Sequence, residues 1–270
     1  MSSSDHPWFR TYPVHHRNII WHWNQATVEE NRHGLRWYAD AHRVATAIAE
    51  GDAHLGAGML AVYSPQQAWV ANLLLAAQVL LAGVGIGGAG SGTFATTAQK
   101  QAADRLLAGE RYDKVLSGPK VLAFAHLIEH SGNRSPEQSQ VVIDRHALSV
   151  AHGTALSVAQ YNTAPLRAVQ RRNGSTHHRH YDYLVALYHQ AAAEISRNHG
   201  QPLTAYQVQA VTWLVRRRLT QTAQREGGMS ALDIGRERAR INTEIAWRRF
   251  CAAHLPQLGD VSDTGYQPAA

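Results

Sequence analysis

Apolar positions recur three and four residues apart along most of this chain, the spacing of one buried helix face. The stretch from Val28 reads as a helix, with Thr27 as its N-cap and Gly51 as its stop. "SPQQAWVANLLLAAQVLLAG" predicts another, with Ser64 as N-cap and Pro65 in the first turn. "TTAQKQAADRLLAGE", "GPKVLAFAHLIEHSG" and "DRHALSVAHG" read as shorter helices, each closed by glycine. "YDYLVALYHQAAAEISRNHG", "TAYQVQAVTWLVRRRL" and "SALDIGRERARINTEIAWRRFCAAHL" read as longer ones. Alternation with period two, bounded by turns, is absent. "QVVID" is the one strand-like piece and is too short to build a sheet. The fold class is therefore all-α, with about ten helices. The main loops are "SGNRSPEQSQ" and "RRNGSTHHRH", and a polar tail follows Pro256.

Composition narrows the class. With 270 residues and 44% apolar content the chain can bury a proper core. "AWVANLLLAAQVLLAGVGIGGAG" approaches the length of a membrane span. It carries Asn72 and Gln78 and dissolves into glycines, so it reads as a buried helix and no membrane association is expected. The first residues, "MSSSDHPWFRTYPVHH", lack an apolar signal core. A single cysteine, Cys251, excludes a disulfide framework, a Cys-rich zinc site and a four-cysteine iron–sulfur cluster. A cytoplasmic location is the expectation.

Charge changes the picture further. The formal net charge is +6 and the pI about 9.7. Between Tyr161 and Phe250 there are fourteen Arg, no Lys and six Asp or Glu, so this segment alone carries +8. Arginine runs such as "RRNGSTHHRH" and "VRRRL" seek phosphates if they share a face. The plainer account is arginine on solvated surfaces of an arginine-rich chain.

Three motifs carry candidate chemistry. In "GVGIGGAG", Gly85, Gly87 and Gly90 satisfy G-x-G-x-x-G, with Asp104 some way on. A dinucleotide site needs a preceding strand, and here a helix-length segment precedes, so a glycine connector between helices is favoured. In "HLIEH", His126, Glu129 and His130 match the inverted zinc-protease pattern. No third ligand is placed by the sequence, and solvated histidines at a helix end are favoured. The histidines of "THHRHYD" (His177, His178 and His180) are discounted likewise.

The third is a pair. A turn at Gly118-Pro119 opens an apolar helix, a polar loop follows, and an apolar run then delivers Asp144 to the start of another helix. A carboxylate there meets the positive end of the helix dipole, and a glycine turn exposes N–H groups suited to a phosphate. The plain alternative makes Asp144 an ordinary N-cap and Gly118-Pro119 an ordinary turn.

At these residues the chain resembles the helix-hairpin-helix DNA glycosylase superfamily, the group of endonuclease III and MutY. "SGPKVLAFAHLI" is similar to its hairpin and second helix, and "VVIDRHALSV" to its catalytic-aspartate segment. "YSPQQAW" is similar to the family's helix start whose glutamine enters the gap left by a flipped base, and "QVQAVTWLVRRR" to the helix closing that lobe. The likeness covers about residues 55 to 220. More closely, the strings around "YSPQQ", "GPKV" and "VVIDRHA" resemble an uncharacterised family from actinobacteria and their phages, read as a divergent branch of that superfamily. The chain departs from the pattern in three ways. Only Gly118 precedes the lysine, the loop before Asp144 is longer, and the cysteine cluster of several members is missing.

The resemblance implies a two-lobed helical bundle with a helix-hairpin-helix element and a central cleft. It implies an N-terminal helical segment over residues 1–54, a glycosylase-like core over 55–220, a C-terminal helix over 221–256 and a tail over 257–270. Asp144 becomes the catalytic carboxylate, and Lys120 either a nucleophile at the sugar or a phosphate contact. Gln66, or its neighbour Gln67, becomes the wedge, with Tyr63, Trp69 and His146 around the base. Ser117, Gly118, Arg145, Arg171, Arg172, Arg179, Arg216 and Arg217 become contacts to the DNA backbone. DNA is the expected partner, the protein a monomer, and no cofactor or metal is called for. The implied activity is release of a damaged or modified base. Alternatives are transfer of a group onto a modified base on the same fold, or a catalytically inactive DNA-binding module.

Overall fold

The computed structural model describes residues 6–65, 67–89, 94–131, 140–166, 169–170, 176–177, 179–228 and 230–258. In chain order the helices are α1 (Pro7–Thr11), α2 (His16–Asn24), α3 (Val28–Ile48), α4 (Ala53–Tyr63), α5 (Trp69–Ala82), α6 (Thr97–Leu107) and α7 (Tyr112–Val115). They continue with α8 (Pro119–His130), α9 (Arg145–His152), α10 (Val158–Asn162), α11 (Arg179–His199), α12 (Ala205–Glu226) and α13 (Ala231–His254), followed by a 3-10 turn at Pro256–Leu258. One ladder of two residues a side, Val169–Gln170 antiparallel to Thr176–His177, is the only strand pairing among the described residues. The protein is all-α.

Helix ends follow their caps. Thr27 and Glu30 form a capping box at α3, the Glu30 N–H donating to Thr27 Oγ1 at 3.1 Å and the Thr27 N–H to Glu30 Oε2 at 2.9 Å. The same reciprocal pair occurs at Thr96 and Gln99 for α6, and at Ser230 and Asp233 for α13. Gly83 closes α5 and Gly153 closes α9 with φ of +66° and +99°, the left-handed conformation glycine adopts at least cost.

The start of α5 differs from the sequence expectation. Ser64 is the C-cap of α4 and Pro65 lies in the turn after it; α5 begins at Trp69 after Ala68, which offers no side-chain cap. Serine followed by proline ends a helix as readily as it begins one, because proline has no N–H to carry the hydrogen-bond ladder onward. The helix it ends, α4, contains Gly56 and Gly58 and was hidden by them. Gly56 packs so closely on the carbonyl of Ala45 that any side chain there would collide.

Chain segments alternate between two compact units. The first gathers residues 1–37, 118–123 and 136–223. Its core joins Trp8, Ile19 and Trp23 of the first two helices to Leu148 and Val150 of α9, Leu184, Tyr188 and Ile195 of α11, and Val208 and Val211 of α12. Burying each large side chain contributes about 1.5–3 kcal/mol. Gly34 of α3 lies against Val211 of α12, where a Cβ would stand 2.5 Å from Val211 Cγ2. The apolar run before Asp144 is neither strand nor helix. Val141, Val142 and Ile143 are buried, and the Tyr181 hydroxyl serves their backbone, donating to the Val141 carbonyl at 2.8 Å and accepting from the Ile143 N–H at 3.0 Å.

The second unit gathers residues 38–117, 124–135 and 224–270. Here α13 packs along α5, and α4 packs on α5, α6 and α7. Met59, Leu60, Tyr63 and Leu73 are fully buried. No helix among the described residues is long and apolar enough to cross a membrane.

Candidate functional site

Asp144 occupies the N-cap of α9, half-buried, with both carboxylate oxygens engaged. Oδ1 accepts from the Ala147 N–H at 2.7 Å and Oδ2 from the Trp213 indole N–H at 2.8 Å. Each oxygen keeps acceptor capacity beyond its one bond. The helix N-terminus adds partial positive charge on the same side. The plain expectation, an N-cap, is therefore met, and the indole clamp is an addition that capping does not require.

His146 and several arginines share the electrostatic surroundings of α9. His146, nearly buried, meets Trp213 edge to face with ring centroids 5.3 Å apart. Burial holds its imidazole below the ordinary range; Asp144 works against that, and Arg145, Arg217 and Arg216 reinforce it. Arg145 donates to the Leu156 carbonyl at 3.2 Å. Burial raises the phenols of Tyr161 and Tyr181, and Asp144 adds to both shifts. Tyr188 is fully buried, its hydroxyl donating to the Ala147 carbonyl at 2.9 Å, so α9 is anchored from below as well.

His22 of α2 has no exposed surface. Its Nδ1 lies 2.8 Å from the Asn18 carbonyl oxygen, which can only accept, so Nδ1 carries the proton. Burial first, then the charge of Arg216, pushes its pKa down to about 4. Two turns of α12 supply Trp213, Arg216 and Arg217 at the three- and four-residue spacing of one helix face. Arg218 points elsewhere, its guanidinium held by the fully buried Glu30 at 2.8 Å and by the Gln25 carbonyl at 2.8 Å.

Among the residues proposed from sequence, Asp144, Arg145, His146, Arg216 and Arg217 come together in the first unit. Arg216 is a correction: it is only 9% exposed and its Nε is buried, where a DNA-backbone contact was expected to stand out in solvent. Lys120 lies half-buried in the first turn of α8, and Ser117 and Gly118 before it are exposed, with Gly118 at φ +91°. Arg179 is exposed at the start of α11. Gln66, Arg171 and Arg172, like Gly90 and His178, lie outside the described residues.

In the second unit Gln67 is half-buried and its N–H donates to the Ser64 carbonyl at 3.4 Å. Tyr63 has no exposed surface and its hydroxyl donates to the Ile86 carbonyl at 2.9 Å, so its ring belongs to the interior and is not a surface on which a base stacks. Trp69 is likewise buried, edge-on to Phe124. The glycine motif follows a helix, as its context predicts, and has a structural explanation: the Gly85 N–H donates to Asp104 Oδ1 at 2.7 Å while Lys100 pairs with Oδ2 at 2.7 Å. In the zinc-like motif, Glu129 accepts from Tyr112 at 2.6 Å and pairs with His54 at 3.0 Å, so its oxygens are spent within the protein. Among the described residues no group of three or more His, Cys, Asp or Glu is placed to hold a metal ion.

Sequence reasoning missed Trp213, His22 and Tyr161. One signal was available. In "VTWLVRRR" a polar-edged face (Thr212, Trp213, Arg216, Arg217) interrupts an otherwise apolar helix.

Residues 10–220 match the model of a family of unknown function, DUF7178, and the chain belongs to that family. No curated protein and no solved structure matches the chain.

Proposed function

We propose that this protein is a DNA-binding, N-glycosylase-like enzyme in which Asp144 is the catalytic carboxylate. The observation that carries the proposal is the fixed, half-buried Asp144, held by the Ala147 N–H and the Trp213 indole, with nearly buried His146 edge to face on the same indole. Loss of a base leaves positive charge on the sugar, and a carboxylate held in place without reorganising stabilises that charge best where water is scarce. The arginine excess between Tyr161 and Phe250 suits a polyanionic substrate, whose affinity falls as salt rises. A base in a duplex must be extruded to reach such a carboxylate, at a cost of a few kcal/mol. Lys120 serves either as a nucleophile at the sugar or as a phosphate contact. The protein acts as a cytoplasmic monomer on DNA.

The test is incubation with duplex and single-stranded oligonucleotides carrying unmodified, damaged and hypermodified bases, read by mass spectrometry. Loss of one base mass with an abasic site is the expected result. A mass gain would replace base release by group transfer on the same fold. Binding without any mass change across the set would leave a DNA-binding module.

A further inference from the structure

The first two helices both begin on histidine. Nδ1 of His6 accepts from the Trp8 N–H at 3.1 Å and caps α1, and Nδ1 of His15 accepts from the Arg17 N–H at 3.0 Å and caps α2. Serine, threonine, aspartate and asparagine are the usual caps, and none of them takes up a proton between pH 7 and pH 5. An imidazole does. Once protonated it donates at both nitrogens, so the cap bond is lost and a cation stands at the positive end of the helix dipole. The segment formed by these helices holds the C-terminal end of α9, the helix that Asp144 caps. The His15 N–H and the Asn18 side-chain amide both donate to the Ala151 carbonyl, at 2.8 Å and 2.9 Å, and His152 Nδ1 donates to the Pro13 carbonyl at 2.8 Å. Trp8, Phe9, Ile19 and Trp23 carry the segment into the core of the first unit.

We propose that α1 and α2 form a clasp on α9 that loosens on acidification, with the cap imidazoles of His6 and His15 as its sensors. Around His6 stand Arg10, one turn along α1, and His180 of α11, whose ring centroid lies 5.1 Å away. His16 stacks on His15 with centroids 4.4 Å apart, and Arg17 follows. Desolvation first, then the charges of His16 and Arg17, hold the His15 imidazole below its ordinary range. The open segment therefore binds the proton first, and falling pH favours opening. Glu194 of α11 works the other way, since it lies 3.5 Å from His16 Nε2 and pairs with that ring once it is charged. That pair is partly exposed and contributes little. His152 donates to Pro13 in either charge state and is no sensor. His22, whose burial disfavours its charged form, adds to opening in the same direction as the caps. The clasp stands apart from the base-release reading: absence of base release leaves it intact, and its failure leaves Asp144 untouched.

The test is hydrogen exchange in the full chain at pH 7 and pH 5, each rate divided by the intrinsic rate at that pH, with the amides of α12 as internal reference. Protection across α1 and α2, read at the Trp8 and Arg17 amides and their neighbours, should fall at least tenfold more than in α12. Two caps of about fivefold each act on one opening. In His6→Asn/His15→Asn, where asparagine caps without titrating, this extra fall should shrink at least fivefold, whatever His22 contributes to both proteins. An equal fall in the two proteins, or none beyond that of α12 in the unaltered one, would overturn the proposal. A second measurement needs no variant: imidazole nitrogen shifts at pH 7 should report the Nε2–H tautomer for His6 and His15. An Nδ1–H tautomer at either residue would overturn the proposal as well.

Discussion

The Trp213 indole N–H donates to Asp144 Oδ2 at 2.8 Å across 69 residues of sequence, joining the start of α9 to the middle of α12. An N-cap needs only one oxygen, and Oδ1 fills that role at the Ala147 N–H. The second oxygen is thus fixed by a separate element, which orients the plane of the carboxylate. Trp213→Phe keeps the ring and removes the donor, and should cost about 1 kcal/mol. Asp144→Ala removes the cap as well and should cost about 2 kcal/mol. Asp144→Asn keeps the cap and should fall between wild type and Asp144→Ala. Urea unfolding of the three variants checks the order.

Tyr181→Phe tests how the apolar run before Asp144 is held. Among the described residues its hydroxyl alone satisfies the Ile143 N–H and the Val141 carbonyl, both in buried residues. Removing it leaves two orphaned backbone groups, and a loss of roughly 2 kcal/mol or more is expected. Hydrogen exchange at the Ile143 amide should accelerate beyond the change in global stability.

His22 makes folding pH-dependent with a definite sign. Its folded pKa, about 4, lies below the ordinary 6.5, so the unfolded chain binds the proton first. Stability is full above the unfolded value and falls as the pH drops from 6.5 toward 4. Between pH 7 and pH 5 the contribution is about 2 kcal/mol. Other buried imidazoles, His146 among them, add to the same trend, so the quantity to measure is the difference between wild type and His22→Asn. The variant should show the shallower slope.

Gly34→Ala tests the contact between α3 and α12. Alanine is the better helix former by up to about 1 kcal/mol. Its methyl would nonetheless stand 2.5 Å from Val211 Cγ2 and 2.7 Å from the Val211 Cα. Overpacking against backbone costs about 1–3 kcal/mol and should win. A variant more stable than wild type in thermal unfolding would show that the helices separate freely.

Much of the helical frame was legible because caps are local: Thr27, Gly83, Asp144 and Gly153 act on residues within a turn of themselves. The serine and proline at 64 and 65 misled for the same reason, since the same two residues also suit the end of α4. Asp144 was legible as a functional candidate because an acid after a buried apolar run is unusual. Its partners were not. Trp213 reaches the carboxylate through helix packing, and nothing near it in sequence records what it faces. Arg216 could be read as basic but not as buried, because charge patterning does not tell which face of α12 meets the core.

The central claim is that Asp144 does chemistry beyond capping, and Asp144→Asn separates the two roles, since asparagine caps α9 while carrying no charge. The decisive measurement is single-turnover base release by wild type and Asp144→Asn, on the oligonucleotide that wild type processes, with DNA affinity and stability measured alongside. The account predicts a fall of at least a hundredfold in rate with affinity within a fewfold and the fold retained. An unchanged rate, or no base release by wild type from any duplex or single strand in the set, would contradict it.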